Sequence, residues 1–397
     1  MAKINSNYNK LPPSYFFLEM GKKVKAFQEK NPEVEILRLG IGNTTEALTS
    51  TVIKGLTKGV QKLADVKTYT GYGDEQGDSR LRTALAAYYQ KSHINLDPQE
   101  IFISDGAKPD CANILSIFSD SSIVAVADPA YPVYVDSSII AGKKVIYMRC
   151  SQENGFISDL PSKKADLIFL CSPNNPTGVV LTKKKLQVFV EYARKTAAVI
   201  IFDAAYAEYI QDQDLPKSIY EIPGAKSCAI EINSFSKWAG FTGVRLGWSV
   251  VPMDLIVEGE KKGKINSLWN RRQTTMFNGA SNIAQEGGLA VLSQAGQKEC
   301  KKLVDYYMRN SEIIKEGLES MGLKVFGGVN APYLWVKCPK GLTSWEFFDK
   351  LLNDAHVVST PGSGFGSMGE GYLRLSAFGH RENIKKAVES IKKNLVL

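Results

Sequence analysis

The sequence predicts an α/β protein built on a mostly parallel sheet, followed by an α+β segment. Three observations predict it. From about residue 52 to residue 300, helical stretches alternate with short β-rich runs. Those runs read as fully buried rather than alternating, as strands covered on both faces are. Polar residues gather just past their carboxyl ends, the edge where open α/β sheets bind ligands.

Taken in order, residues 1–45 are polar, with a strand-like run at Val34–Leu39 that ends at Gly40-Ile41-Gly42. Ser79–Gln90 has helical spacing, with Leu81, Leu85 and Tyr88 on one stripe. Strands follow at Ile101–Ile103, Ile123–Ala127, Leu167–Leu170, Ala198–Phe202, Cys228–Ile232 and Gly247–Val251, each stopped by Asp, Asn, Ser, Gly or Pro. A long helical stretch runs from about 280 to 320. Beyond it come strands near 325, 333 and 371, a helix near 344–354 and a final helix near 381–394. The expected division is a large domain at 46–290 and a small domain made of 1–45 and 291–397. The boundary is expected near 285–300, in a stretch that reads as helical. At roughly 150 residues per domain, the 397-residue length suggests two or three units.

Composition excludes several classes. With 44% hydrophobic and 23% charged residues, the chain is neither disordered nor fibrous. The net charge of +8 is dispersed, and its densest runs, Lys183–Lys185 and Lys261–Lys264, read as solvated faces. A nucleic-acid track needs clustered cations, so no nucleic-acid partner is expected. No stretch reaches the ~18–20 apolar residues of a membrane span, so no membrane association is expected. Six scattered cysteines with no CxxC pair read as reduced thiols of a cytoplasmic protein. Three histidines without HxxxH spacing argue against a bound metal. The glycine-rich Pro361–Gly366 follows no strand of Rossmann type and reads as a turn.

The chemistry concentrates at the strand ends. Asn233-Ser234-Phe235-Ser236-Lys237 is followed eight residues on by Arg245. Hydroxyls and a guanidinium around one point suit a phosphate, and a lysine amine can capture an aldehyde. On spacing alone an exposed Ser/Lys loop fits equally well. Asn175-Pro176-Thr177-Gly178 is a turn that can aim one amide at a ligand. Asp203, with Tyr206 three residues on, is either a helix cap or the partner of a protonated ring nitrogen. Asp105-Gly106-Ala107-Lys108 is either a simple turn or a helix start whose N–H groups face an anion.

Together these motifs, with a late Arg374, resemble the fold-type I pyridoxal-phosphate aminotransferases over nearly the whole chain, in family order. The resemblance implies a seven-stranded, mostly parallel sheet in a large domain, a smaller α+β domain, and pyridoxal 5'-phosphate as cofactor. It implies Lys237 as the covalent anchor and proton carrier, Asp203 on the pyridine nitrogen, and Tyr206 and Asn175 on the ring oxygen. Tyr131 would stack on the ring. Ser234, Ser236, Arg245 and the backbone of Gly106, Ala107 and Lys108 would hold the phosphate. Tyr72 would reach that phosphate from the second subunit of a homodimer with shared active sites.

Leu39–Glu46, Gly71–Gly77, Ser104–Lys108 and Phe277–Asn282 resemble the LL-diaminopimelate branch of that family. This implies small amino-acid and 2-oxo-acid substrates. Arg374 would take the α-carboxylate, Lys108 and Asn278 the distal carboxylate, and Glu75 of the other chain the distal ammonium. Tyr15 and Gly42 would close the pocket. Aromatic, kynurenine or aspartate-type aminotransferases share Lys237, Asp203 and Arg374, and a C–S lyase on this fold shares the first proton removal. A ligand-sensing regulator would need a DNA-binding module before Gly40, for which there is no room.

Overall fold

The computed structural model describes residues 1–12, 15–40 and 42–396, so Ile41 of the Gly40–Gly42 motif lies outside the described residues. Its centre is a seven-stranded sheet of β1 (Ile101–Ser104), β2 (Ile123–Asp128), β3 (Lys144–Arg149), β4 (Leu167–Cys171), β5 (Val199–Asp203), β6 (Ala229–Ser234) and β7 (Gly247–Val250). The spatial order is β1-β7-β6-β5-β4-β2-β3. β4 and β5 are buried along their whole length because helices pack on both faces. That is the reason for their uniform apolarity.

β7 alone is reversed, antiparallel to both β6 and β1. Its amino end therefore lies where its neighbours have their carboxyl ends. Gly247 stands opposite both Ser104 and Ser234, so Arg245, just before β7, reaches the same edge as residues that follow β1 and β6.

β3 is absent from the sequence reading. It is an edge strand with Lys144 and Arg149 exposed at its ends, so it lacks the apolar run that marks the interior strands. The strand read over Val34–Leu39 shrinks to Leu37–Arg38, paired with Val357–Val358. In the Ser79–Gln90 helix the buried apolar residues are Leu81, Leu85 and Tyr89, while Tyr88 is only partly buried against the Trp238 ring. The long helical stretch is two helices, Asn282–Leu292 and Gln294–Glu319. Ser293, extended and capping the second helix through its side chain, breaks them apart.

The carboxyl-terminal part forms an antiparallel sheet of β8 (Val325–Gly327), β9 (Tyr333–Lys337), β10 (Thr360–Pro361) and β11 (Tyr372–Ser376), in the order β10-β11-β9-β8. The helices Ser344–Ala355 and Arg381–Asn394 and the amino-terminal Val24, Leu37 and Leu39 join its core. Gly362–Phe365 is a single 3₁₀ turn. Next to it, Ser367 donates a 2.7 Å hydrogen bond to Asp128 at the end of β2. A side chain at Gly366 would overlap that carboxylate.

Candidate active site

A cleft of about 310 Å³ opens at the shared strand edge. Ala107, Lys108, Tyr131, Asn175, Asp203, Tyr206, Ser234, Ser236, Lys237, Arg245, Arg374 and Gly42, all read from the sequence, line it. A larger cavity of about 700 Å³ beside Tyr88, Glu208 and Lys301 contains none of them.

Lys237 sits in the short helix Phe235–Trp238 directly after β6. Its Nζ donates to the Gly42 carbonyl. Burial, then the charges of Arg374 and Arg245, push the amine down to about 8. An ordinary lysine would be almost wholly charged at neutral pH; this one is poised to lose its proton.

Asp203 ends β5 and is buried. Tyr134 donates to its Oδ2 at 2.6 Å and the Ala205 N–H to its Oδ1 at 3.0 Å, while the Cys111 thiol lies 3.8 Å from Oδ2. Burial raises its carboxyl above the ordinary range, against the opposing pull of these donors.

Arg374 on β11 is 2% exposed. It donates to Asn175 Oδ1 and to the Gly40 carbonyl, each at 2.8 Å. Among the described residues its buried Nε has no partner, a donor left over for an incoming anion. Asn175 reaches it from a turn pressed against β9. Gly178 there has φ +69°, and a Cβ would lie 2.3 Å from the Tyr333 carbonyl oxygen.

Ser234 caps the Phe235–Trp238 helix by accepting from the Ser236 N–H at 3.0 Å, and its own hydroxyl bonds the Leu246 carbonyl. Arg245 holds the Thr242 carbonyl with one nitrogen. Gly106 caps the Ala107–Asn113 helix; a Cβ there would lie 2.6 Å from an Arg245 nitrogen. The missing side chain lets the guanidinium approach that helix start. Gly106 therefore shapes the cleft from behind. Lys108 stands over the rings of Tyr15, at 5.1 Å, and Tyr131, at 5.8 Å, which places Tyr15 at the mouth.

Three expected residues do not reach this cleft. Tyr72 is 89% exposed. Glu75 and Asn278 lie on neighbouring loops, where Gly279 packs against the Asp74–Glu75 backbone. Asn282 bonds the Gly71 carbonyl at 3.0 Å, tying the Tyr72 loop to the same patch.

The sequence reading missed Phe17, Asn43, Tyr134, Ala205 and Tyr333 in the lining. Tyr134 was findable: it lies three residues after Tyr131, one helical turn on. Tyr333 lies in a strand that reads as core, with no local signal.

The donor set fits pyridoxal phosphate. A lysine of lowered basicity, a buried carboxylate in the same cleft, and a serine–guanidinium cup beside a helix start match an aldehyde, a ring nitrogen and a phosphate. Such a fold and cleft define a pyridoxal-phosphate enzyme.

Comparison with known proteins specifies the class. The profile described as "Aminotransferase class I and II" matches residues 34–391. A curated LL-diaminopimelate aminotransferase of Lachnospira eligens is 52% identical over 99% of this chain and 100% of its own length. The structure of L,L-diaminopimelate aminotransferase from Chlamydomonas reinhardtii is similar, with TM-score 0.94 and 47% identity over 99% of this chain and 98% of that one. An aromatic aminotransferase from Pyrococcus horikoshii is more distant, with TM-score 0.82 and 27% identity over 92% and 98%. The chain belongs to the class I and II aminotransferases. It is a fold-type I enzyme that depends on pyridoxal phosphate.

Proposed function

We propose that the chain moves an amino group between glutamate and 2-oxoglutarate on one side, and tetrahydrodipicolinate and LL-2,6-diaminopimelate on the other. The 52% identity over the full length to a diaminopimelate aminotransferase is the observation that carries this reading. Two cationic points at one cleft, Arg374 inside and Lys108 at the mouth, agree with a substrate that bears two carboxylates.

Bound pyridoxal phosphate would supply an electron-withdrawing ring. Lys237 would anchor it and would move the substrate α-proton with its neutral Nζ. Asp203 keeps the ring nitrogen protonated. Tyr206 and Asn175 donate to the ring oxygen. The Tyr206 phenol is pushed well above its ordinary value, chiefly by burial, so it remains a donor. Tyr131 covers one ring face. Ser234, Ser236, Arg245 and the backbone of Gly106, Ala107 and Lys108 hold the phosphate. Arg374 clamps the α-carboxylate bidentately, as a planar guanidinium does. Tyr15 and Gly42 close the pocket.

Tyr72, Glu75 and Asn278 act from the second subunit of a homodimer. Their shared patch supports this. Close to Tyr72 and Asn278 in the chain, Val66, Tyr69 and Met276 are all more than half exposed, and exposed apolar side chains grouped together mark protein interfaces. The domain division stays at 46–290 against 1–45 with 291–397. The pairing of Leu37–Arg38 with Val357–Val358 supports it. The location is cytoplasmic, in keeping with six free, buried cysteines. Among the described residues no helix is long and apolar enough to cross a membrane.

The test is a screen of LL-, meso- and DD-diaminopimelate, aspartate, tyrosine and kynurenine, each with 2-oxoglutarate. Reaction with the LL form alone upholds the substrate. Faster turnover of tyrosine or kynurenine overturns it and leaves the aminotransferase class standing.

A further inference from the structure

Tyr333 touches both functional halves of the cleft. It is 1% exposed and begins β9. In the β9–β11 register Trp335 stands opposite Arg374, so Tyr333 is the diagonal neighbour of Arg374 on the same face. The Arg374 guanidinium lies 4.5 Å from the Tyr333 ring centroid, within the range of a cation–π contact. At its other end the Tyr333 hydroxyl is 2.8 Å from that of Tyr206. Among the described residues neither hydroxyl has another hydrogen-bond partner. Gly42 keeps the hydroxyl unobstructed, since a Cβ there would come within 2.8 Å of it.

The proton count then fixes a direction. Each phenol has one proton. If Tyr206 gives its proton to an oxygen on the cofactor ring, its own oxygen must accept from Tyr333. The chain of donation runs from Tyr333 to Tyr206 to the ring, and each link polarises the next.

We propose that Tyr333 is a positioning residue with two separable roles: its ring seats the Arg374 guanidinium that receives the substrate carboxylate, and its hydroxyl orients Tyr206 as a donor to the cofactor. This rests on the roles given above to Tyr206 and Arg374. A donor to the ring oxygen favours its anionic form, so loss of the donor moves the cofactor's protonation to higher pH.

The experiment titrates the visible absorption of the cofactor-loaded, substrate-free enzyme against pH, and measures kcat and KM for glutamate. The variants are Tyr333→Phe, Tyr333→Leu, Tyr206→Phe and the double phenylalanine variant. Tyr333→Phe keeps the ring. Its spectral transition moves to higher pH, by less than that of Tyr206→Phe. Its kcat falls about fivefold, the size of one neutral hydrogen bond, while KM stays within about twofold. The double variant titrates like Tyr206→Phe alone, because the two hydroxyls act as one unit. Tyr333→Leu adds a rise of about tenfold in KM for glutamate, through loss of the seat for Arg374.

A Tyr333→Phe transition at the wild-type pH, with Tyr206→Phe displaced, overturns the proposal alone. Two unmoved transitions overturn the role of Tyr206 and the proposal with it. An equal rise in KM for Tyr333→Phe and Tyr333→Leu removes the division between ring and hydroxyl.

Discussion

The Tyr134 hydroxyl donates a 2.6 Å hydrogen bond to Asp203 Oδ2 at the floor of the cleft. Both groups are buried, and the Tyr134 ring is stacked on Phe169 at 4.9 Å, so the donor is held in place. The bond opposes the burial that raises the Asp203 carboxyl. In Tyr134→Phe the carboxyl moves further up and holds a proton at higher pH. An acid that is protonated in this way no longer pairs with a ring nitrogen. Affinity for pyridoxal phosphate should fall about tenfold, as expected for one hydrogen bond to a charged group. The deficit should widen as pH drops from 9 to 6. Spectral titration of the cofactor-free protein measures it, and a deficit that is flat with pH contradicts the electrostatic cause.

Gly178 should tolerate no side chain. Its φ of +69° is strained for alanine, and the obstructing atom is a backbone oxygen that cannot swing aside. Gly178→Ala should cost about 2 kcal/mol or more. The turn that aims Asn175 at Arg374 would shift with it. Thermal unfolding reads the first effect and KM for glutamate the second. A wild-type melting temperature would show that the contact relaxes freely.

How much of this could be read from the chain depends on where each residue gets its position. Lys237, Asp203 and Asn175 lie at or just past the carboxyl ends of buried strands, so local pattern alone places them at the ligand edge. The reversal of β7, which brings Arg245 to that edge, leaves no local mark; pairing with β1 and β6 decides it. β3 was not legible because an edge strand needs no apolar run. Tyr333 became part of the site only through the register of β9 against β11, a contact between distant segments. Tyr72, Glu75 and Asn278 came from family resemblance, not from a pattern in the residues, and within one chain they lie outside the cleft.

The amine of Lys237 gives a pH signature in the cofactor-free protein. Its folded value is pushed down to about 8, mainly by burial, from 10.5 in an unperturbed lysine. Between those two values the unfolded chain binds more protons at this site than the folded one. Stability contributed by the site therefore rises with pH across that window. Below about pH 8 both states are protonated, and the cost of a buried cation is felt in full. Lys237→Met removes the group. The melting temperature of wild type minus that of Lys237→Met should climb from pH 8 to pH 10 and be flat from pH 6 to pH 7. A difference that falls across the upper range would mean that the folded protein stabilises the charged amine.

The exposed Tyr72 leads to a complementation test of the shared site. If its hydroxyl serves the phosphate of the other subunit, Tyr72→Phe damages the partner's cleft and spares its own. Lys237→Ala destroys its own cleft and leaves its Tyr72 intact. Each homodimer is then impaired twice over, once at each cleft. In a mixed dimer one cleft carries both lesions and the other carries neither, so the second should work at wild-type rate. Hybrids formed by unfolding and refolding an equal mixture of the two proteins, and isolated by two different affinity tags, should show about half the wild-type kcat per dimer. The Lys237→Ala homodimer should show no turnover above background. Tagged hybrids with only the activity of the Tyr72→Phe parent, counted per intact lysine, would place the Tyr72 hydroxyl outside the neighbouring site.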